Sequence, residues 1–179
     1  MGKTFAISDI WFNRPCEEDY GKNHIEYNKN AISKWNETVS DGDTVYVLGG
    51  FGICDIYDPV FQLNGKLVFL NNFCSSDEIE AVERLKTFGG RSVFGDSFSE
   101  KVEFSDRQVL ILYDKDVVLS YFPLLDWYGK GNDSLCFHGM SGKTDINNSS
   151  ICCRAHDWDF KPVDIDSVSA NISKFKSMV

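Results

Sequence analysis

The stretch Thr44-Val45-Tyr46-Val47-Leu48-Gly49-Gly50 decides how this sequence folds. Residues 44–48 form a short, almost wholly apolar run, which is typical of a buried strand in a parallel sheet. The turn Asp41-Gly42-Asp43 precedes this run, and the glycine-rich segment 49–52 follows it. The pattern predicts a central strand whose carboxyl end runs into a glycine-rich loop.

Similar runs on both sides of this strand predict a βαβ-rich first half. Strands are predicted at Lys3 to Ser8 and at Lys66 to Leu70. Helices are predicted at 24–38, 57–63 and 75–88, the last opened by a capping box of Ser75 and Glu78. The apolar positions expected to face the core are Ile25, Ala31, Ile32 and Trp35 in the first helix and Ile79, Val82 and Leu85 in the third.

The second half is rich in short strands and hairpins. Strands are predicted at 91–94, 102–104, 109–113, 117–120, 135–138 and 151–155, and a final helix at 167–175 carries Val168, Ile172 and Phe175. Together the halves predict one α/β domain over residues 1–179, with two sheets packed face to face and helices outside. Ligands of such sheets bind beyond the carboxyl ends of strands, so the candidate loops follow Ser8, Leu48, Leu70, Ser120 and Phe137.

Composition excludes several classes of protein. Hydrophobic residues make up 42% and aromatic residues 14%, which is enough for a packed core and unlike a disordered chain. No apolar run approaches the roughly 20 residues of a membrane helix, and no signal-peptide pattern opens the sequence, so we predict a cytoplasmic protein. The net charge of −9 disfavours nucleic-acid binding and is compatible with a basic partner surface or with solubility alone.

Six cysteines are scattered along the chain without a CxxC pair. A zinc site from Cys152, Cys153 and His156 is conceivable, but adjacent cysteines are poorly spaced for tetrahedral coordination. We therefore interpret the cysteines as reduced, buried apolar groups.

The five candidate loops, in order, resemble the signature of the calcineurin-like metallophosphoesterases, in particular the small single-domain members known from bacteria and phages. In that family the loops read D-x-H, G-D, G-N-H-D, H-Y-P and H-G-H. Here they read Asp9-Ile10-Trp11, Gly49-Gly50, Asn71-Asn72-Phe73-Cys74, Tyr121-Phe122-Pro123 and His138-Gly139-Met140. The resemblance spans nearly the whole chain, including Trp158 to Val163 near its end. It implies a four-layer α-β-β-α sandwich of two mixed sheets.

The departures from this signature change the expected function. The family binds two metal ions through seven side chains, and the resemblance maps them here onto Asp9, Asn72 and His138, which are retained, and Trp11, Gly50, Tyr121 and Met140, which are not ligands. Phe73 stands where the family has its catalytic histidine. At most a weak remnant site is expected, so we predict no cofactor and no catalytic residue.

Electrostatics explains why these losses should abolish hydrolysis. Two divalent cations about 4 Å apart repel by roughly 4 kcal/mol even in water, and in the family a shared carboxylate offsets that repulsion. Gly50 occupies that position here and has no side chain. Without a metal, bound water keeps its high pKa, and Phe73 cannot protonate a leaving group.

Two interpretations of the cleft stay open at this stage. Trp11, Phe73, Tyr121 and Met140 either fill the former metal site or form an exposed aromatic patch for a base or a partner side chain. Asp9 and His138 are either hydrogen-bonded remnants or working polar groups. Three basic residues near the predicted rim are candidate phosphate contacts: Arg14, Lys143 and Arg154.

Three functions follow from these interpretations. The leading hypothesis is a pseudo-enzyme that binds a protein partner as an adaptor or inhibitor, for instance a phage protein directed at a host system. In the same superfamily, the retromer subunit of this fold and non-catalytic subunits of replicative DNA polymerases are interaction platforms. The alternatives are a protein that sequesters a nucleotide-like ligand and a residual metal-dependent phosphoesterase.

Overall fold

A computed structural model describes residues 2–14, 24–89, 95–140 and 149–171. The first half contains β1 (Thr4–Ile7), α1 (His24–Asn36), β2 (Thr44–Val47), α2 (Tyr57–Gln62), β3 (Lys66–Phe69), α3 (Ser76–Gly89) and α4 (Gly95–Lys101). The second half contains β4 (Val102–Phe104), β5 (Val109–Leu112), β6 (Val117–Ser120), β7 (Leu135–His138), β8 (Ser150–Cys152), β9 (Val163–Asp164) and α5 (Ile165–Ala170). Two 3₁₀ turns lie at Lys130–Asn132 and Ala155–Trp158.

The first sheet has the strand order β4-β3-β2-β1-β9, and only β9 runs antiparallel to its neighbour. Its register aligns side chains into rows across the sheet, one of which contains Phe5, Val45, Leu67 and Val102. This row and the parallel row from Ile7 belong to the buried cluster that also contains Trp35 of α1 and Leu85 of α3. The helices therefore cover this face of the sheet.

The second sheet has the order β5-β6-β7-β8, with one antiparallel pair, β5 with β6. Leu119 and Phe137 of this sheet share a buried cluster with Ala6 and Leu48 from the first sheet. The two sheets thus pack face to face, and the prediction of an α/β fold with two mixed sheets is confirmed.

The outer face of the second sheet has a different cover. Ile111, Val118 and Cys136 form one row across β5, β6 and β7, and Leu124 and Trp127 pack against this row. Both come from residues 121–134, which we call the crossing segment, because it runs from the end of β6 to the start of β7. In the described ranges this segment, with its single 3₁₀ turn, takes the place of the helical fourth layer that the sequence predicted.

Most predicted elements are present with boundaries within a few residues. The final helix begins two residues earlier than predicted, at Ile165, and the predicted strand at 91–94 and the helix end at 172–175 lie outside the described residues. Two core assignments were wrong, because Ile25 is 54% exposed and Ile79 is 46% exposed. Tyr27 and Ala81 are buried instead.

The cysteine interpretation is confirmed only in part. Cys136, Cys152 and Cys153 are buried, whereas Cys74 is partly buried and Cys54 is exposed. Cys16 lies outside the described residues. No described helix is both long enough and apolar enough to cross a membrane.

The crossing segment provides a test of this architecture. Trp127 is 9% exposed and donates from Nε1 to the Ser134 carbonyl at 3.1 Å, whereas Leu125 in the same segment is 95% exposed. We predict that Trp127→Ala lowers the free energy of unfolding by about 3 kcal/mol, because it leaves a cavity above the sheet. Leu125→Ala should change it by less than about 0.5 kcal/mol. Urea denaturation of both variants measures the difference, and equal effects would contradict the packing described here.

Candidate functional site

The five candidate loops meet at one edge of the paired sheets. The backbone nitrogens of Asp9 and Trp11 donate to the carbonyls of Gly49 (3.0 Å) and Gly50 (2.9 Å), which joins the first loop to the second. On the other sheet, the nitrogen of Gly139 donates to the Tyr121 carbonyl at 3.0 Å. The two halves meet where the Ser8 hydroxyl donates to the Gly139 carbonyl at 3.1 Å. We call this arrangement the loop cluster.

Gly50 lies so close to Asp9 that no side chain fits between them. A β-carbon added to Gly50 would overlap Oδ1 of Asp9 and lie 2.8 Å from its Cα and 3.0 Å from its nitrogen. Gly50 also has a φ of +68°, in the left-handed region that favours glycine. The backbone of the second loop therefore fills the space that a bridging carboxylate would need.

Tyr121 packs closely against two other glycines of the loop cluster and contacts Asp9. A β-carbon on Gly49 would lie 2.8 Å from Cδ2 of the Tyr121 ring, and one on Gly139 would lie 2.5 Å from the same atom. The ring thus lies between two glycines, and its hydroxyl donates to Oδ1 of Asp9 at 3.1 Å. The Asp9 carboxylate is thus hydrogen-bonded within the protein.

The other two retained polar residues are also buried and hydrogen-bonded. Asn72 is 5% exposed and its Nδ2 donates to the Gln108 carbonyl at 2.8 Å. His138 is 1% exposed, and its Nδ1 lies 3.3 Å from the Met140 carbonyl oxygen. Burial lowers the pKa of His138, which favours the neutral imidazole.

The remaining substituted positions have different environments. Phe73 packs against the helix-side core, and Trp11 is partly buried with the Arg14 guanidinium 4.6 Å from its ring centroid. Met140 is 42% exposed. Tyr121 and Phe73 therefore fill space, as one interpretation expected, while Met140 contributes to the surface.

The structure describes two of the three predicted phosphate contacts, Arg14 and Arg154. Arg14 lies over Trp11, and Arg154 donates through Nε (3.1 Å) and Nη2 (2.9 Å) to the two carboxylate oxygens of Asp157. Lys143 lies outside the described residues. The two described arginines are thus already engaged by neighbouring side chains.

Glu78 contributes to the loop cluster as well as to the helix cap that its spacing from Ser75 predicts. The Glu78 nitrogen donates to the Ser75 hydroxyl at 3.2 Å, as the capping box predicts. Glu78 is 1% exposed, and its carboxylate accepts hydrogen bonds from the backbone nitrogens of Phe51 (2.8 Å) and Cys74 (2.7 Å). Glu78 therefore ties the second candidate loop to the third.

Burial dominates the electrostatics of the loop cluster. The pKa of Asp9 is raised to about 6, chiefly by burial and also by the nearby Glu78, although hydrogen bonds from Tyr121 and Trp11 and the Arg154 charge oppose the rise. Burial likewise raises the pKa of Glu78, of the Cys74 thiol to about 12, and of Tyr121. Each of these shifts stabilises the neutral form of an acid.

The residues present do not fit a pair of divalent metal ions. Oδ1 of Asp9 accepts from Tyr121, and Gly50 provides no ligand and no room for one. Besides Asp9, only the Asn72 amide oxygen and the His138 imidazole could act as ligands at the mapped positions, which is too few for two cations. Across the described part of the chain, no group of three or more His, Cys, Asp or Glu side chains is arranged to hold a metal. This also applies to the zinc site considered at Cys152, Cys153 and His156.

Comparison with other proteins supports the fold but indicates no function. No known protein-family profile matches the chain. The uncharacterized protein MJ1445 of Methanocaldococcus jannaschii is 25% identical over 187 aligned positions, which cover 98% of this chain and 94% of that protein. The crystal structure of AQ665 from Aquifex aeolicus, a protein of unknown function, matches with a TM-score of 0.62 and 17% identity, covering 95% of this chain and 99% of that one. The fold is shared with that protein.

The close contact between Gly50 and Asp9 predicts that a side chain at position 50 destabilises the protein. Gly50→Ala should lower the free energy of unfolding by about 3 kcal/mol, because the methyl group overlaps Asp9 and the residue is held at positive φ. Gly42→Ala is the matched control, because an added β-carbon there has no neighbour within 4 Å. Thermal and urea denaturation compare the two, and equal stabilities would contradict the close approach.

The raised pKa of the buried Asp9 carboxyl predicts that the stability of the protein depends on pH. Because its pKa rises from 3.8 in the unfolded chain to about 6, its contribution to stability is fully present below pH 4 and is lost as the pH rises through 6. Asp9→Asn keeps an acceptor for Tyr121 but cannot ionise. Relative to the wild type, it should gain about 2 kcal/mol of stability between pH 4 and pH 8.

Denaturation midpoints in urea at pH 4, 6 and 8 measure this gain. Tyr121→Phe is the complementary variant, because it removes the hydroxyl that favours the ionised carboxylate, and it should destabilise more at pH 8 than at pH 4. A stability difference between wild type and Asp9→Asn that does not change with pH would show that Asp9 is not buried as described.

Proposed function

We propose that this protein is a catalytically inactive relative of the metallophosphoesterases that acts by binding a protein partner, as an adaptor or inhibitor. The proposal includes the finer assignment of the fold to the metallophosphoesterase-like sandwich, with the crossing segment in place of one outer helical layer. It is supported by two mixed sheets packed face to face and by the order in which the five signature-like loops meet at one edge.

The main support for the proposal is the tight packing of the loop cluster around Asp9. Metal-assisted hydrolysis requires ligands that leave an open position for water and substrate. In this chain the Gly50 backbone and the Tyr121 hydroxyl both lie against Asp9, and Phe73, which cannot transfer a proton, packs against the core. The chemistry of these side chains supports a structural role for the former catalytic loops.

Exposed apolar residues favour a protein as the partner over a small phosphorylated ligand. Arg154 donates to the Asp157 carboxylate, which a phosphate would have to displace, and Arg14 lies over the Trp11 ring. In contrast, large apolar side chains are exposed next to the loop cluster and along the crossing segment: Met140, Phe122, Leu125 and Tyr128. Exposed apolar groups that are close together are typical of protein interaction sites.

Two measurements on the purified protein and on a lysate of its source organism test this function. With bis-p-nitrophenyl phosphate and Mn²⁺, we expect p-nitrophenol release by the wild type to equal that of Asp9→Ala. Affinity capture from native lysate with mass spectrometry should recover a stoichiometric protein partner.

The two measurements can contradict the proposal independently. Release that depends on Mn²⁺ and is abolished by Asp9→Ala would show a working phosphoesterase. Capture that yields no partner above the level of an unrelated acidic control protein would remove the binding function.

A further inference from the structure

The crossing segment has one buried side and one exposed side. Leu124 and Trp127 pack against Val118 and Cys136 of the sheet below. The residues between and around them remain in solvent, with Phe122 exposed by 54%, Leu125 by 95% and Tyr128 by 61%. The inward side of the segment thus covers the outer face of the sheet, and its outward side leaves apolar side chains exposed.

The exposed side extends onto the β5–β6 hairpin. Tyr113, at the end of β5, is 68% exposed, and its ring centroid lies 5.6 Å from that of Tyr128 in an edge-to-face arrangement. Aromatic rings that pack only against each other offer their outer surfaces to a partner. We call Tyr113, Phe122, Leu125 and Tyr128 the docking residues.

The conformation of this surface is held by contacts within the protein. Trp127 Nε1 donates to the Ser134 carbonyl at 3.1 Å, and Lys130 Nζ donates to the Leu125 carbonyl at 2.6 Å. The Lys130 ammonium also lies 4.7 Å from the Trp127 ring centroid. A surface that is ordered before binding loses less conformational entropy when a partner arrives.

Exposed carboxylates accompany the docking residues. Asp114 and Asp116 belong to the hairpin beside Tyr113, and Asp126 lies between Leu125 and Trp127. All three are exposed, and none forms an ion pair in the described residues. The two lysines nearby are already engaged, Lys115 with Asp166 at 2.5 Å and Lys130 as described above. The surface is therefore apolar with an acidic rim.

We propose that the docking residues bind a protein segment in which Lys or Arg residues alternate with aromatic or aliphatic ones. This inference rests on the proposed protein-binding function and adds the surface and the chemistry of the partner. Basic side chains would meet Asp114, Asp116 and Asp126, while apolar side chains cover Leu125 and Tyr128. The acidic rim and the net charge of −9 oppose an anionic membrane, a nucleic acid or a second copy of the chain.

Selection of random 12-residue peptides on the immobilised full-length protein tests this inference. We expect the enriched sequences to combine Lys or Arg with aromatic or aliphatic residues. A synthetic peptide of the most enriched sequence should bind about tenfold more weakly to the double variant Leu125→Ser/Tyr128→Ser. The variant Asp114→Asn/Asp126→Asn should bind about threefold more weakly and show a reduced dependence on salt.

Ile79→Ser is the matched control, because Ile79 is an exposed apolar residue (46%) on α3, away from the crossing segment, and this variant should bind like the wild type. Both altered residues of the double variant are exposed, so its melting temperature should remain that of the wild type.

Three results would overturn the inference. Enriched peptides without positive charge would refute the partner chemistry. Peptide binding that survives in the double variant would refute the surface, although protein binding elsewhere on the chain would stand. Self-association in sedimentation velocity that the double variant abolishes would identify a second copy as the occupant. Mn²⁺-dependent hydrolysis, in contrast, contradicts the proposed function and leaves the peptide result unchanged.

Discussion

The close approach of the Gly50 backbone to Asp9 is the constraint on which the loop cluster depends. Because a β-carbon at Gly50 would overlap the Asp9 carboxylate, the second loop can occupy its position only with glycine. The Tyr121 ring, held between Gly49 and Gly139, donates a hydrogen bond from its hydroxyl to the same carboxylate. Within this cluster Asp9 is an internal acid, bonded to Tyr121, whose pKa is raised by burial.

Much of the fold could be predicted from short apolar runs, because buried strands leave a strong local signal. The runs at 44–48 and 66–70 correspond to β2 and β3, and two mixed sheets follow from their order along the chain. Helix faces were harder to predict, since α1 buries Tyr27 rather than Ile25, and the face of a loosely periodic helix is decided by its tertiary neighbours. The cover on the outer face of the second sheet left no periodic signal, because it is an irregular segment.

The candidate site was predictable in position but not in contacts. The sequence placed Asp9, Asn72 and His138 at one edge, yet their hydrogen-bond partners depend on distant backbone atoms that no local pattern specifies. Glu78 illustrates the limit, because its spacing from Ser75 predicts a cap while its carboxylate also accepts from Phe51, 27 residues away in the chain. The candidate phosphate contacts stay a prediction, and no sequence pattern specified the ion pair between Arg154 and Asp157.

The loop cluster and the proposed docking surface share one backbone, because the crossing segment begins at Tyr121. The ring of Tyr121 packs inward on the cluster, and the next side chain, Phe122, is exposed. The central claim is therefore that Asp9 is a buried acid bonded to Tyr121 and not a metal ligand. Titration of the Asp9 carboxyl carbon by NMR, with and without Mg²⁺, tests this claim most directly. We expect a titration midpoint near pH 6 that Mg²⁺ leaves unchanged. A midpoint at or below about 4 that falls further when Mg²⁺ is added would contradict the claim.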